Sequence, residues 1–139
     1  MRDGLVAMIW LALTFALGTC LTATAGASAS LPEARVQECV CHGMEREVTM
    51  PSGGRADCVG ADTVTEIDRT SSWAEAIGQS LYYAEQTGKR ARAVLFCDAN
   101  PGMCLTHRLR FEGAVAYHDL PVDLIPMDGS DIAAACRVR

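Results

Sequence analysis

Five side chains near the middle of the chain have the types and spacing to do chemistry together. Asp57, Glu66 and Asp68 are carboxylates within one short stretch, and Gln79 and Tyr83 follow one helical turn apart. Carboxylate oxygens are the ligands that hard divalent ions prefer, and Mg²⁺ is often held by one or two of them while it keeps several waters. An ion held that way acidifies its bound water and polarises a phosphoryl oxygen, which is the chemistry of phosphodiester hydrolysis. An amide and a phenol nearby have the hydrogen-bonding groups to position a substrate.

Local elements must bring these residues together. Arg55 to Val59 reads as a strand, Gly60 to Asp62 as a turn, Thr63 to Asp68 as a second strand, and an amphipathic helix opens at Trp73. With the turn spanning Gly60 to Thr63, Asp57 stands opposite Glu66 with both side chains on one face, and a slip of one residue would separate them. Val64, Glu66 and Asp68 share one face of the second strand, and Thr65 and Ile67 the other. Ser72 and Glu75 spell a capping box for the helix, Gly88 supplies its stop, and Trp73, Ala76, Ile77, Leu81 and Ala84 recur as its buried stripe.

The flanking segments complete an α/β order. Leu31 to Cys41 reads as a short helix with Pro32 in its first turn and Gly43 as its cap. Glu45 to Met50 and the following strand form a hairpin around Pro51-Ser52-Gly53-Gly54. Ala91 to Cys97 is an apolar strand that the helix before it delivers parallel to an earlier one. A loop punctuated by Asn100-Pro101-Gly102 leads to a helix over Cys104 to Tyr117, and Val122 to Ile125, between two prolines, is placed at a sheet edge. The expected order is αβββαβαβ on a mixed sheet.

Three short motifs in this frame resemble a known family. Gly54-Arg55-Ala56-Asp57 looks like G-x-x-D, Glu66-Ile67-Asp68 looks like E-x-K with its Lys replaced, and Gln79-Ser80-Leu81-Tyr82-Tyr83 looks like Q-x-x-x-Y. Set on strand, strand and helix in that order, they resemble the PD-(D/E)XK nuclease superfamily, in its RecB-like and Holliday-junction-resolvase-like branch. The similarity spans roughly Leu31 to Cys97 and implies a small three-layer restriction-endonuclease-like fold. It further implies Mg²⁺ or Mn²⁺ held by Asp57, Glu66 and the Ile67 backbone carbonyl, with Gln79 and Tyr83 lining the site and DNA as substrate. Glu33 or Glu38 would supply an additional acid.

The departure from the family is Asp68, which stands where a Lys would orient the attacking water and stabilise developing negative charge. Arg69 is expected on the opposite face, and Lys89 at the far helix end is the candidate for a relocated replacement. Two functional expectations follow: metal-dependent hydrolysis of DNA with a carboxylate as base, or a catalytically inactive secreted binding protein on a nuclease-like scaffold. A third alternative makes the acids an ordinary solvated sheet face.

Composition and cysteines bound these readings. A chain of 139 residues supports one domain. Residues 1–29 read as a secretory signal: Arg2, an apolar run from Leu5 to Leu17, and Ala27-Ser28-Ala29 as the cleavage site. The domain then occupies 30–139. The apolar run is shorter than the roughly 20 residues a membrane span needs, so no stable insertion is expected. Cleavage near Ala29 is preferred to lipidation at Cys20, and the destination is periplasmic or extracellular.

Of seven cysteines, Cys20 lies in that leader, and Cys39, Cys41, Cys58, Cys97, Cys104 and Cys136 remain. An even number in an exported domain points to disulfides of unspecified pairing. The competing assignments are a zinc site at Cys39, Cys41 and His42, and a thiol nucleophile at Cys97 or Cys104 with His107. A net charge of −5 counts against a dedicated module for long nucleic acid, which relies on Lys and Arg to neutralise phosphates. Arg90, Arg92, Arg108, Arg110, Arg137 and Arg139 are scattered through the second half.

Overall fold

A computed structural model describes residues 32–137. The leader, its cleavage site, Cys20, Leu31 and Arg139 lie outside the described residues. Helix α1 (Glu33–Val40) is followed by strands β1 (Glu45–Thr49), β2 (Arg55–Val59) and β3 (Thr63–Arg69), a 3₁₀ turn (Thr70–Ser72) and helix α2 (Trp73–Thr87). Strand β4 (Arg90–Phe96), helix α3 (Pro101–His118), strand β5 (Val122–Met127) and helix α4 (Gly129–Arg137) complete the chain. The five strands form one mixed sheet in sequential order, antiparallel from β1 to β3 and parallel from β3 to β5.

Alternation along the central strands sorts the core into two layers. Ile67, Val94 and Phe96 face α1 and α4, where they pack with Val36 and Ile132. Ala91, Ala93 and Leu95 face the other way, against Ala76 and Ile77 of α2 and Phe111 of α3. Small residues on that side of β4 let α2 lie close to the sheet, and Gly88 at φ 65° ends α2 as the sequence predicts. The result is a three-layer α/β fold with β5 at an edge, which also explains how Pro126 is accommodated in a strand.

Three local expectations are corrected. Helix α3 begins at Pro101: Asn100 is its N-cap, its side chain accepting from Gly102 N–H at 2.9 Å, so the residues expected as a loop open the helix. The Ser72–Glu75 capping box does not form. Ser72 already belongs to the 3₁₀ turn, with no side-chain bond to the helix end, and its hydroxyl bonds Asp68 instead. Helix α4 is additional to the expected order. It starts on a reciprocal cap, with Asp128 Oδ1 accepting from Ser130 N–H at 2.7 Å while Asp131 Oδ2 accepts from Asp128 N–H at 2.9 Å.

All six cysteines among the described residues pair. Cys39–Cys136 ties α1 to α4, Cys41–Cys58 ties the end of α1 to β2, and Cys97–Cys104 closes the loop from β4 into α3. The zinc reading of Cys39, Cys41 and His42 and the thiol-nucleophile reading of Cys97 or Cys104 are therefore wrong, because neither leaves a thiolate to act. Three disulfides fit an exported protein. Among the described residues no helix is long and apolar enough to cross a membrane.

Candidate functional site

Strand register brings the two central acids together. β2 and β3 pair through Cys58 with Thr65 and Val59 with Val64, and one further step of that register sets Asp57 opposite Glu66. The ladder stops before that step. Gly60 N–H donates to Thr63 C=O at 2.8 Å, so bonded positions recur at alternate pairs and Ile67 N–H is due to meet β2 main chain. It donates to Asp57 Oδ2 instead, at 2.7 Å. A strand N–H lies in the plane of its sheet, so the Asp57 carboxylate fills the gap between diverging strands. This corrects the expectation that both side chains stand on one face: an unpaired main-chain N–H takes the nearest strong acceptor. Glu66 Oε1 in turn comes within 3.4 Å of Asp57 N–H, so each acid leans toward the other's strand.

Two residues not singled out in the sequence hold this arrangement. Gln37 of α1 donates to Asp57 Oδ1 at 3.0 Å and also bonds Glu47. Glu47 lies opposite Asp57 on β1, between the pairs Arg46 with Cys58 and Val48 with Ala56, and has a φ of 55°. A left-handed backbone costs a non-glycine residue about 1–3 kcal/mol and persists where its surroundings over-determine it. Here Arg55 pairs with the Glu47 carboxylate from one side and Gln37 bonds it from another. Gln37 was legible in principle, since it follows Glu33 by one helical turn. Glu47 carried no sequence signal.

The helix contributes a flank. Tyr83 is buried against Met50, Ala56 and Val64. A Cβ at position 54 would lie 2.8 Å from the Tyr83 Oη, so the glycine that opens the G-x-x-D stretch is required for the phenol to pack. Gln79 donates to Glu75 Oε1 at 3.1 Å, and no hydrogen bond joins Gln79 or Tyr83 to Asp57 or Glu66. Asp68 accepts from Arg69 N–H at 2.7 Å and from the Ser72 hydroxyl.

The electrostatics are those of crowded, partly dehydrated anions. Burial pushes the Asp57 carboxyl up to about 6, opposed by the Ile67 N–H and reinforced by Glu33, Glu47 and Asp68. Glu66 is 5 % exposed. Burial, and then the charge on Asp57, push it up to about 8. Asp57 ionises first, so Glu66 must ionise beside an existing anion. Burial also raises Asp68 and Glu33. For Tyr83 burial raises the phenol first and the Glu66 charge second.

The cations near these acids are otherwise engaged. Arg69 pairs with Asp98 at 2.6 Å and Glu33 at 3.5 Å, and lies over the Phe96 ring. Lys89 donates to the Ala61 carbonyl at 2.6 Å, beside the β2–β3 turn and at the opposite end of β3 from Asp68. It does not replace the missing Lys. Of the two acids offered by α1, Glu38 pairs with Arg35 at 2.7 Å, whereas Glu33 feels Asp68 and Glu47 directly.

Among the described residues no group of three or more His, Cys, Asp or Glu is arranged to hold a metal ion. The donor set at the β2–β3 divergence is an oxygen pair, which suits the one or two carboxylates that Mg²⁺ takes and not a closed zinc site. Two carboxyls raised by burial and by neighbouring anions also gain from a cation between them. Asp57 and Glu66 therefore fit a hard divalent ion by chemistry. The chain matches no protein-family model, no curated protein and no solved structure.

Proposed function

We propose that the chain is a divalent-cation-dependent phosphodiesterase acting on DNA, with Asp57 and Glu66 as the ion-holding pair. The observation that carries this reading is the divergence of β2 and β3 past Cys58. It sets two carboxyls against each other, and no Lys or Arg among the described residues pairs with either. The antiparallel β1–β3 meander followed by α2 and a parallel β4 supports it too, being the layout that the resemblance to PD-(D/E)XK nucleases implies.

A bound Mg²⁺ or Mn²⁺ would supply an acidified water and a Lewis acid for the phosphoryl oxygen. The chain's own residues do the rest. Gln37 and the Ile67 N–H orient Asp57, Gly54 and Val64 seat Tyr83, and Asp68 stands on the Glu66 side of β3 as the base that takes the water's proton. The water oxygen bonds phosphorus, the ester P–O bond breaks, and the leaving oxygen takes a proton from solvent.

One observation favours a second reading, a binding protein without catalysis. The Asp68 carboxyl that replaces the family's Lys is tied to the Ser72 hydroxyl and the Arg69 N–H. Incubating supercoiled plasmid with the protein and Mg²⁺ or Mn²⁺ separates the two. Hydrolysis predicts nicking that chelation stops and that Asp57→Asn or Glu66→Gln lowers about a hundredfold or more, as loss of charge stabilisation at a reacting centre does. No nicking with either ion, or nicking unchanged in both variants, leaves the binding reading.

A further inference from the structure

The face of the sheet opposite α2 and α3 is only partly covered. α1 and α4 are helices of 8 and 9 residues, and they leave a groove of about 390 Å³ beside them. Its walls include Met44, Val94, Ile125 and Met127, and the Cys39–Cys136 disulfide fixes the helix pair that borders it. Three polar side chains also line it: His42, just after α1, and Thr65 of β3 and Arg92 of β4, the last two being paired positions on adjacent strands that share this face.

Thr65 and Arg92 each carry a buried polar atom without a hydrogen-bond partner. Thr65 is 0 % exposed and its hydroxyl has no hydrogen bond, and the buried Nε of Arg92 has none either. The cause lies two residues earlier. Arg90 takes both nearby acids in contact, Asp62 at 3.1 Å and Asp123 at 3.3 Å, so Arg92 acts on Asp62 only at longer range and makes no ion pair among the described residues. Its backbone is held in place by Ser80, whose hydroxyl donates to the Arg92 carbonyl at 3.1 Å. Folded proteins rarely leave buried donors unpaired, and two of them side by side in an apolar groove point to a ligand.

We propose that this groove binds a small organic anion with an apolar body, a medium-chain carboxylate. A guanidinium takes a carboxylate through two parallel N–H bonds, and the Thr65 hydroxyl supplies one more donor to the same headgroup. Methionine and aliphatic walls receive the tail, the two thioethers adapting to its shape. One guanidinium and one hydroxyl in mostly apolar surroundings, with the exposed His42 imidazole also lining the groove, match a single negative charge better than a phosphate dianion. The groove has the volume of a small-molecule site and is too small for a folded partner. This site is independent of the Asp57–Glu66 pair and of any hydrolysis there.

Titration of the ¹⁵N-labelled protein with decanoate, decanol and acetate tests the assignment. Decanoate is expected to bind saturably, with shifts centred on residues 63–65 and 92–94 and on Ile125. Decanol and acetate should each bind at least about tenfold more weakly, since each lacks one half of the recognition. Arg92→Gln should weaken decanoate about tenfold or more, and Thr65→Val about three- to tenfold, while Glu66→Gln leaves it unchanged. Absence of binding, shifts mapping elsewhere, or equal affinity for decanol or acetate would overturn the proposal. So would wild-type affinity in Arg92→Gln or, if that variant does not fold, in the near-isosteric Thr65→Val.

Discussion

Glu66→Gln is expected to stabilise the protein at pH 8 in the absence of divalent ions, by about 2–4 kcal/mol. The sign follows from proton counting. Glu66 in the folded chain is held at about 8, against 4.5 for an ordinary glutamate. Between those values the folded state carries the extra proton, so the stabilisation is complete below the unfolded value and lost as pH rises through about 8. Asp57, held at about 6 against 3.8, acts in the same direction over a lower window. Glutamine keeps the shape and the acceptor for Asp57 N–H but cannot ionise. Its unfolding midpoint should therefore fall less between pH 5 and pH 8 than that of the parent protein, with the curves converging near pH 5. Thermal melts across that range check it, and a variant less stable than the parent at pH 8 would show that the Glu66 carboxylate is already compensated there.

The second large effect belongs to the disulfide between α1 and α4. Cys39 and Cys136 are 97 residues apart, so the bond excludes most of the conformations of the unfolded chain, worth about 4–5 kcal/mol in the loop-entropy account. Cys97 and Cys104 are 7 apart, and the same account gives about 2–2.5 kcal/mol. Replacing both members of each pair by Ser, with the other two bonds intact, should cost clearly more for the first pair, read by urea unfolding. An equal or reversed order would mean that the α1–α4 contact survives in the unfolded ensemble or that strain offsets the gain.

What sequence could carry here is mostly what local patterns carry. The turn between Val59 and Thr63 is short enough to fix register, and Asp57 falls opposite Glu66 as that register requires. Alternation placed Thr65 and Ile67 away from Val64 and Glu66, and Gly88 marked the end of α2. The misses are tertiary or concern competition between partners. Ser72 and Glu75 have the letters of a capping box, but a preceding 3₁₀ turn and the Asp68 carboxyl draw the hydroxyl elsewhere. Asn100-Pro101 reads equally well as a turn or as cap and first helical residue, and only the helix that follows decides. Asp128 and Asp131 did carry a capping signal for α4, and Ile132 and Cys136 fall one helical turn apart, but the helix is only 9 residues long.

The candidate site shows the same division. Asp57, Glu66 and Asp68 were legible as acids on adjacent strands. The rotation of Asp57 into the sheet plane was not, because it depends on where the β2–β3 ladder ends. Gln37 shares a helix face with Glu33, but its reach from α1 to the strand gap is tertiary, and Glu47 entered only through space, on a left-handed backbone opposite Asp57. Arg69 was expected to face away from the acids, and its pairing with Glu33 and Asp98 depends on the ends of α1 and β4 meeting at one edge.

Calorimetric titration of the protein with Mg²⁺ and Mn²⁺ at pH 7, in two buffers of different ionisation enthalpy, tests the cation-holding pair most directly. The account predicts one saturable site whose binding releases close to one proton, because Glu66 is protonated at that pH until an ion displaces the proton. Affinity should rise from pH 6 to pH 8, and binding should disappear in both Asp57→Asn and Glu66→Gln. Saturable binding with no proton release, or binding that survives both substitutions, would contradict it, as would the absence of any binding up to pH 8.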